Sequence, residues 1–261
     1  MINDVLVAFS FLTILPMPDV EMPPQRLARA VGAFPLVGVG VGMLLVVAAL
    51  GITRLFPPGV GAAILLATWV LVTGALHLDG FLDACDGLFG GRTPKARLEI
   101  MRDERIGAFA LSGGVLLLLA KYAALVSVLS STSISPSSSP VFFSGSIAVL
   151  APPLIVVPLL ARFAMVFAMI RFPYARETGL GAVMKAGAGP RELAVASATA
   201  LIISVGLLGE TGLAFWVGTL AITWVMAHWV QRRIPGLTGD IYGAICELVE
   251  MVLLLVWTAM M

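Results

Sequence analysis

The run GVGAAILLATWVLVTGAL, residues 59 to 76, carries no charged side chain. At helical rise this length crosses most of the roughly 30 Å hydrocarbon core of a bilayer. The pattern repeats along the chain: with a window of about 19 residues, candidate spans fall near 32–50, 59–78, 106–129, 144–170, 193–209, 211–230 and 242–260. Composition agrees, since 59% of the 261 residues are hydrophobic, 12% are charged and the mean hydropathy is +1.03, against roughly 25% charged residues in soluble domains. Too few polar residues are present to coat a soluble core of this size, so lipid must face much of the surface.

The expected fold class is all-α, a polytopic integral membrane helix bundle of about seven transmembrane helices plus an N-terminal interfacial or re-entrant helix. The first segment, MINDVLVAFSFLTILPMP, has Asp4 and no early Lys or Arg, so it reads as part of the mature chain and not as a signal peptide. Its apolar run is too short to span and ends at Pro16 and Pro18. The fourth span contains Pro152, Pro153 and Pro158, which permits one kinked helix or two broken segments. SSTSISPSSSP, between the third and fourth spans, is an uncharged Ser/Pro-rich loop. No repeat or soluble insert interrupts the pattern, so residues 1–261 form one domain. Cys85 and Cys246 stand in neither a CxxC pair nor a secreted disulfide framework and read as reduced structural thiols.

Thirteen of the sixteen Lys and Arg residues fall into loops on one side of a seven-span chain, leaving Arg54 on the other side and Lys121 and Arg162 within the membrane. The positive-inside rule makes that side cytoplasmic, with the N-terminus inside. The acidic residues crowd to the same side although they contribute little to orientation, which is an independent sign of a site there. A net charge of +1 gives no reason to expect nucleic acid as a partner.

The acids converge on HLDGFLDACDG, residues 77–87. Asp79 to Asp83 is an i,i+4 step and Asp83 to Asp86 an i,i+3 step, so all three share one face if the second span continues as a helix past Gly80. Carboxylates at that spacing repel, and a hard divalent cation such as Mg²⁺ relieves the repulsion while recruiting substrate phosphate. A solvated helix end paired with nearby arginines is the plainer alternative. His77 lies on nearly the opposite face, where a structural role and a ligand role fit equally. The glycines 80, 87, 90 and 91 would bend the helix or let a ligand approach its backbone. Downstream, GGRTPKARLEIMRDERIGAFA brings Arg92, Lys95, Arg97, Arg102 and Arg105 among Glu99, Asp103 and Glu104. Guanidinium groups facing carboxylate-bound metal suit a diphosphate. Lys121, deep in the third span, needs a buried carboxylate, and Glu250 is the expected partner. Asp240, Glu247 and Glu250 form a second acidic row leading into the last span, which also keeps a proton or cation pathway open.

Taken in order, FLTILP (11–16), FPLVGVGVG (34–42), LHLDGFLDACDGLFGG (76–91), RLEIMRDERIGAFA (97–110), ARETGLG (175–181) and GLTGDIYGAICELVE (236–250) resemble the cobalamin synthase family over nearly the whole chain. One departure is DACDG where family members often read DTADG; the acids are kept. The resemblance implies a Mg²⁺-dependent membrane transferase of the nucleotide-loop assembly of adenosylcobalamin, joining adenosylcobinamide-GDP to α-ribazole or its 5′-phosphate and releasing GMP. It implies Asp79, Asp83 and Asp86 as metal ligands and, with Glu247, as catalytic groups. His77, Arg97, Arg102, Asp103, Arg105, Lys121, Arg176, Asp240 and Glu250 complete the site as substrate-binding residues. An amphipathic wall for the corrinoid is expected from Phe9, Phe11 and Leu15, which serve equally as a lipid anchor. The enzyme would sit in the inner membrane with its site facing the cytoplasm.

Two rival readings remain. A CDP-alcohol phosphotransferase also uses clustered aspartates and Mg²⁺, but its DGxxAR pattern is not met after Asp79 and Gly80. A cation-coupled transporter would account for Lys121, Glu247 and Glu250, yet no inverted repeat is visible. Gly-rich stretches such as VGVGVGM favour packing within a chain as readily as between chains, so a homo-oligomer and docking by other enzymes of the pathway both stay open.

Overall fold

The computed structural model describes residues 2–18, 20–131 and 140–261, and the Ser/Pro-rich loop lies almost wholly outside them. The described residues are helical, with no β-strand beyond one isolated bridge between Tyr174 and Leu237. The order is α1 (Ile2–Leu12), α2 (Pro24–Ala30), a 3₁₀ turn, α3 (Phe34–Leu55), α4 (Pro58–Val72), α5 (Leu76–Cys85), a π turn (Asp86–Gly90) and α6 (Pro94–Ile100). It continues with α7 (Ala108–Ser130), α8 (Pro140–Arg171), α9 (Leu180–Gly187), α10 (Pro190–Leu208), α11 (Glu210–Gln231) and α12 (Gly239–Met260). Among the described residues six stretches are long and apolar enough to cross a membrane, and α4 with α5 makes a seventh if that bent pair is one span. The chain is thus a multi-pass membrane bundle. α1, only 11 residues long, packs Val7, Ala8 and Leu12 into the bundle, while Phe9 meets Gly40 and Phe11 stacks on Phe34. These aromatic rings are committed to internal contacts.

Start signals are local and explicit. Proline opens α4, α6 and α10, where its missing N–H has no helical partner to lose. Thr93 caps α6 through the Ala96 amide, and Thr238 caps α12 through the Ile241 amide.

The central helix is α8. Of its most apolar window 83% is buried, and it touches α3, α10, α11 and α12. Its three internal prolines leave it a single helix. Pro158 cannot donate to the Leu154 carbonyl one turn earlier, and Gly42 of α3 lies directly over that carbonyl: a Cβ there would meet Leu154 O at 2.5 Å and Ile155 Cα at 2.6 Å. Gly38 sits equally close to Pro158 O, and Gly40 to the Phe9 ring. The glycines of VGVGVGM are therefore used inside the chain.

Gly42→Ala should accordingly destabilise the fold by about 1–3 kcal/mol, because the obstacle is backbone that cannot step aside. Gly51→Ala on the same helix meets nothing within 4 Å and should be neutral or stabilising. Thermal melts in detergent check the contrast, and equal melting points for the two variants would refute the packing argument.

Candidate active site

The second span does not run on through the aspartates. After Val72 the chain turns through Gly74 (φ 59°) and Ala75 (φ 57°), and α5 leaves α4 at 91°. Glycine adopts the left-handed conformation freely, whereas Ala75 is held there at a cost of roughly 1–2 kcal/mol. The acids thus ride on a separate crosswise helix. That helix lies backbone to backbone on α12: a Cβ on Gly80 would stand 3.0 Å from Asp240 Cα, and one on Gly243 would stand 2.9 Å from His77 O. A side chain at either position would press on backbone, and the close approach brings the carboxylates of Asp79 and Asp83 within electrostatic reach of Asp240 in the first turn of α12.

Asp79 and Asp83 keep the expected i,i+4 relation, Asp79 exposed and Asp83 half-buried, and take no hydrogen bond or ion pair from the described residues. Asp86 differs, because it opens the π turn and its two oxygens accept from the Gly107 amide (2.6 Å) and the Ala110 amide (2.9 Å). It caps α7 from outside. All three acids still line one cavity, but only Asp79 and Asp83 keep their oxygens open. This cavity, of about 260 Å³, gathers Asp79, Asp83, Asp86, Arg102, Asp103, Glu104 and Arg105.

The basic loops meet at this end of the bundle. Arg176 donates to Asp240 (2.7 Å), and its guanidinium also lies 3.4 Å from the Met101 carbonyl. Arg97 donates to the Arg233 carbonyl at 3.0 Å, so it ties α6 to the loop after α11 and does not line the cavity. Arg105 binds Asp103 through both oxygens, at 2.9 and 2.6 Å, and adds its backbone amide. Those hydrogen bonds hold the Asp103 carboxyl at about 2. The favourable state lies above that value and is lost only as the pH falls through it, so the pair stays charged at neutral pH. Arg105 is exposed and Asp103 partly so, which leaves the pair open to exchanging partners.

Among the described residues no three or more His, Cys, Asp or Glu side chains converge tightly enough to hold a metal ion alone. Mg²⁺ rarely needs that; it is commonly bound by one or two carboxylates and completed by water and substrate phosphate. Two unpartnered carboxylates one helical turn apart, in a cavity with Arg102 and Arg105, fit such a cation as donors.

The remaining expected residues lie in the interior. Lys121 Nζ reaches Glu247 Oε2 at 2.7 Å and Glu250 Oε2 at 2.5 Å, which shows the pairing expected with Glu250. Glu250 also binds Arg162, whose guanidinium is 3.5 Å from His77 Nδ1. Lys121, Arg162, Glu250 and His77 are each 1% exposed. Two cations and two anions therefore neutralise one another across α7, α8 and α12, with α5 attached through His77. Arg162 is unusual in the sequence but has no partner assignable from it, because Glu250 lies 88 positions away.

Glu250→Gln should strand two buried cations on one carboxylate and cost about 3–5 kcal/mol. The double change Lys121→Met with Glu247→Gln removes one charge of each sign and leaves the Arg162–Glu250 pair, so it should cost less. Melting of the detergent-solubilised variants decides, and a double variant weaker than Glu250→Gln would contradict mutual neutralisation.

Comparison with known proteins bears on this geometry. The family described as cobalamin-5-phosphate synthase matches residues 4–258. Among similar proteins, one of Stutzerimonas stutzeri is 40% identical over 94% of this chain and 93% of its own length. One of Desulforamulus reducens is 35% identical over 96% and 94%, and one of Roseiflexus is 34% identical over 95% and 86%. All three are named adenosylcobinamide-GDP ribazoletransferase. No solved structure matches. A match running almost end to end, through every segment that builds the acidic cavity, makes this chain a member of the cobalamin-5-phosphate synthase family.

Proposed function

We propose that the chain is an adenosylcobinamide-GDP ribazoletransferase of the inner membrane, with its acidic cavity facing the cytoplasm. The observation that carries the reading is the cavity itself: open carboxylates of Asp79 and Asp83 share it with Arg102 and Arg105, in a chain that matches relatives of that name over 93–94% of their length. The substrates are adenosylcobinamide-GDP and α-ribazole or its 5′-phosphate.

Asp79 and Asp83 would hold Mg²⁺, with Asp86 fixing the start of α7 beside them. When bound, the cation supplies Lewis-acid stabilisation of charge on the phosphoryl oxygens. Arg102 and Arg105 hold the diphosphate, Arg105 exchanging the Asp103 carboxylate for phosphate oxygens of similar geometry. A ribose hydroxyl of α-ribazole attacks the cobinamide-side phosphorus, the new P–O bond forms, the bond to the bridging oxygen breaks, and GMP leaves. The hydroxyl proton passes to a carboxylate of the cavity. Arg176, anchored to Asp240 and lying near the Met101 carbonyl, keeps the α6–α7 loop and α12 in register around the substrate.

The rival readings lose support at specific places. A CDP-alcohol phosphotransferase is not what any of these relatives is named. A cation pathway would need intramembrane acids able to exchange ions, whereas Glu247 and Glu250 are buried and occupied by Lys121 and Arg162.

Purified protein in nanodiscs, given adenosylcobinamide-GDP, α-ribazole phosphate and Mg²⁺, should release GMP and form a cobamide in equal amounts. Asp83→Asn should lower turnover at least about 100-fold while the protein remains folded and membrane-inserted. Absence of both products from active-control preparations, or full activity of the variant, would sink the assignment or the carboxylate role respectively.

A further inference from the structure

The helix that carries the acids has a second face. Opposite Asp79 and Asp83, α5 turns Phe81, Ala84 and Leu88 of the following turn toward a groove of about 760 Å³ bounded by α7, α11 and α12. Its lining holds no charged or hydroxyl side chain. The volume falls inside the range of roughly 300–1,000 Å³ typical of small-molecule sites. α11 leaves this space because it packs chiefly on α10 and α8 and meets α12 only sparsely.

Three observations say what fills it. The groove opens sideways onto the surface that faces lipid, since Leu116 and Val225 on its rim are each 68% exposed. Along α11 it runs from Ala221 to Trp229, about 12 Å at helical rise, close to the depth of one bilayer leaflet. At the Trp229 end it meets positive charge: the Arg233 guanidinium lies 3.7 Å over the Trp229 ring, and Arg232 beside it is exposed. Phe89, its ring tilted against Trp229 with centroids 5.7 Å apart, completes an aromatic rim of the kind found at headgroup level.

We propose that this groove binds one anionic phospholipid, its acyl chain along α5, α11 and α12 and its phosphate against Arg232 and Arg233. Basic positions between transmembrane helices at a membrane interface select acidic headgroups in this way. The lipid forms the far wall of α5, so the helix carrying the catalytic acids is packed between the aqueous cavity and a bound acyl chain. Nothing in this assignment depends on the substrate of the cavity.

Native mass spectrometry of the delipidated full-length protein, titrated with phosphatidylglycerol or phosphatidylcholine, tests it. One phosphatidylglycerol should be retained at least about tenfold better than phosphatidylcholine. Arg232→Gln with Arg233→Gln should erase that preference, and Ala221→Trp, which fills the groove from α11, should abolish retention of both lipids while melting normally. Equal retention of the two lipids by the unaltered protein would overturn the proposal. So would unchanged retention in Ala221→Trp, or displacement of the lipid by α-ribazole, which would give the groove to a substrate instead.

Discussion

Four ionised groups inside an apolar bundle must satisfy one another, and the arrangement of the helices follows from that requirement. Lys121, Arg162, Glu247 and Glu250 come from three different helices and close a network of zero net charge. In hydrocarbon each of these charges alone would be too costly to bury. The network therefore fixes α7, α8 and α12 relative to one another far more specifically than apolar packing does, since lipid tails compete equally for apolar faces. Through Arg162 and His77 it also reaches α5.

That connection matters because α5 is otherwise an improbable element. It begins with a left-handed alanine, lies at 91° to the helix before it, and is wedged against α12 by two glycines that admit no side chain. The result is a short helix with a polar face on the acidic cavity and an apolar face on a groove open to lipid. Its position is overdetermined from three directions: the glycine contact, the His77 link to the buried network, and Asp86, which pins the start of α7. A pair of open carboxylates is thereby held without spending Asp79 or Asp83 on structure.

The sequence shows the membrane class and the spans plainly, because uninterrupted apolar runs of about 20 residues have few other solutions. The Lys121–Glu250 pairing is also legible, since a lone intramembrane cation requires a carboxylate. What stays hidden depends on backbone geometry. Nothing in GALHLDG announces that Ala75 will be left-handed, or that Asp86 will also accept the Gly107 and Ala110 amides at the start of α7. Arg97 reads as a phosphate group's partner, yet the Arg233 carbonyl claims it, a contact 136 residues distant in sequence. Arg162 stands out as misplaced, but its partner belongs to a helix whose position only the tertiary structure defines. Capping by Thr93 and Thr238 is, by contrast, visible from their places before helical runs.

On the proposed reaction, Asp79 and Asp83 hold the divalent cation. Exchange of a hard ligand for a soft one tests this directly, because a thiolate prefers a softer metal to Mg²⁺. Asp83→Cys should be inactive with Mg²⁺ and regain turnover with Cd²⁺, while the unaltered protein prefers Mg²⁺. Wild-type activity of the variant in Mg²⁺, or no recovery with any softer ion in a folded preparation, would contradict the account.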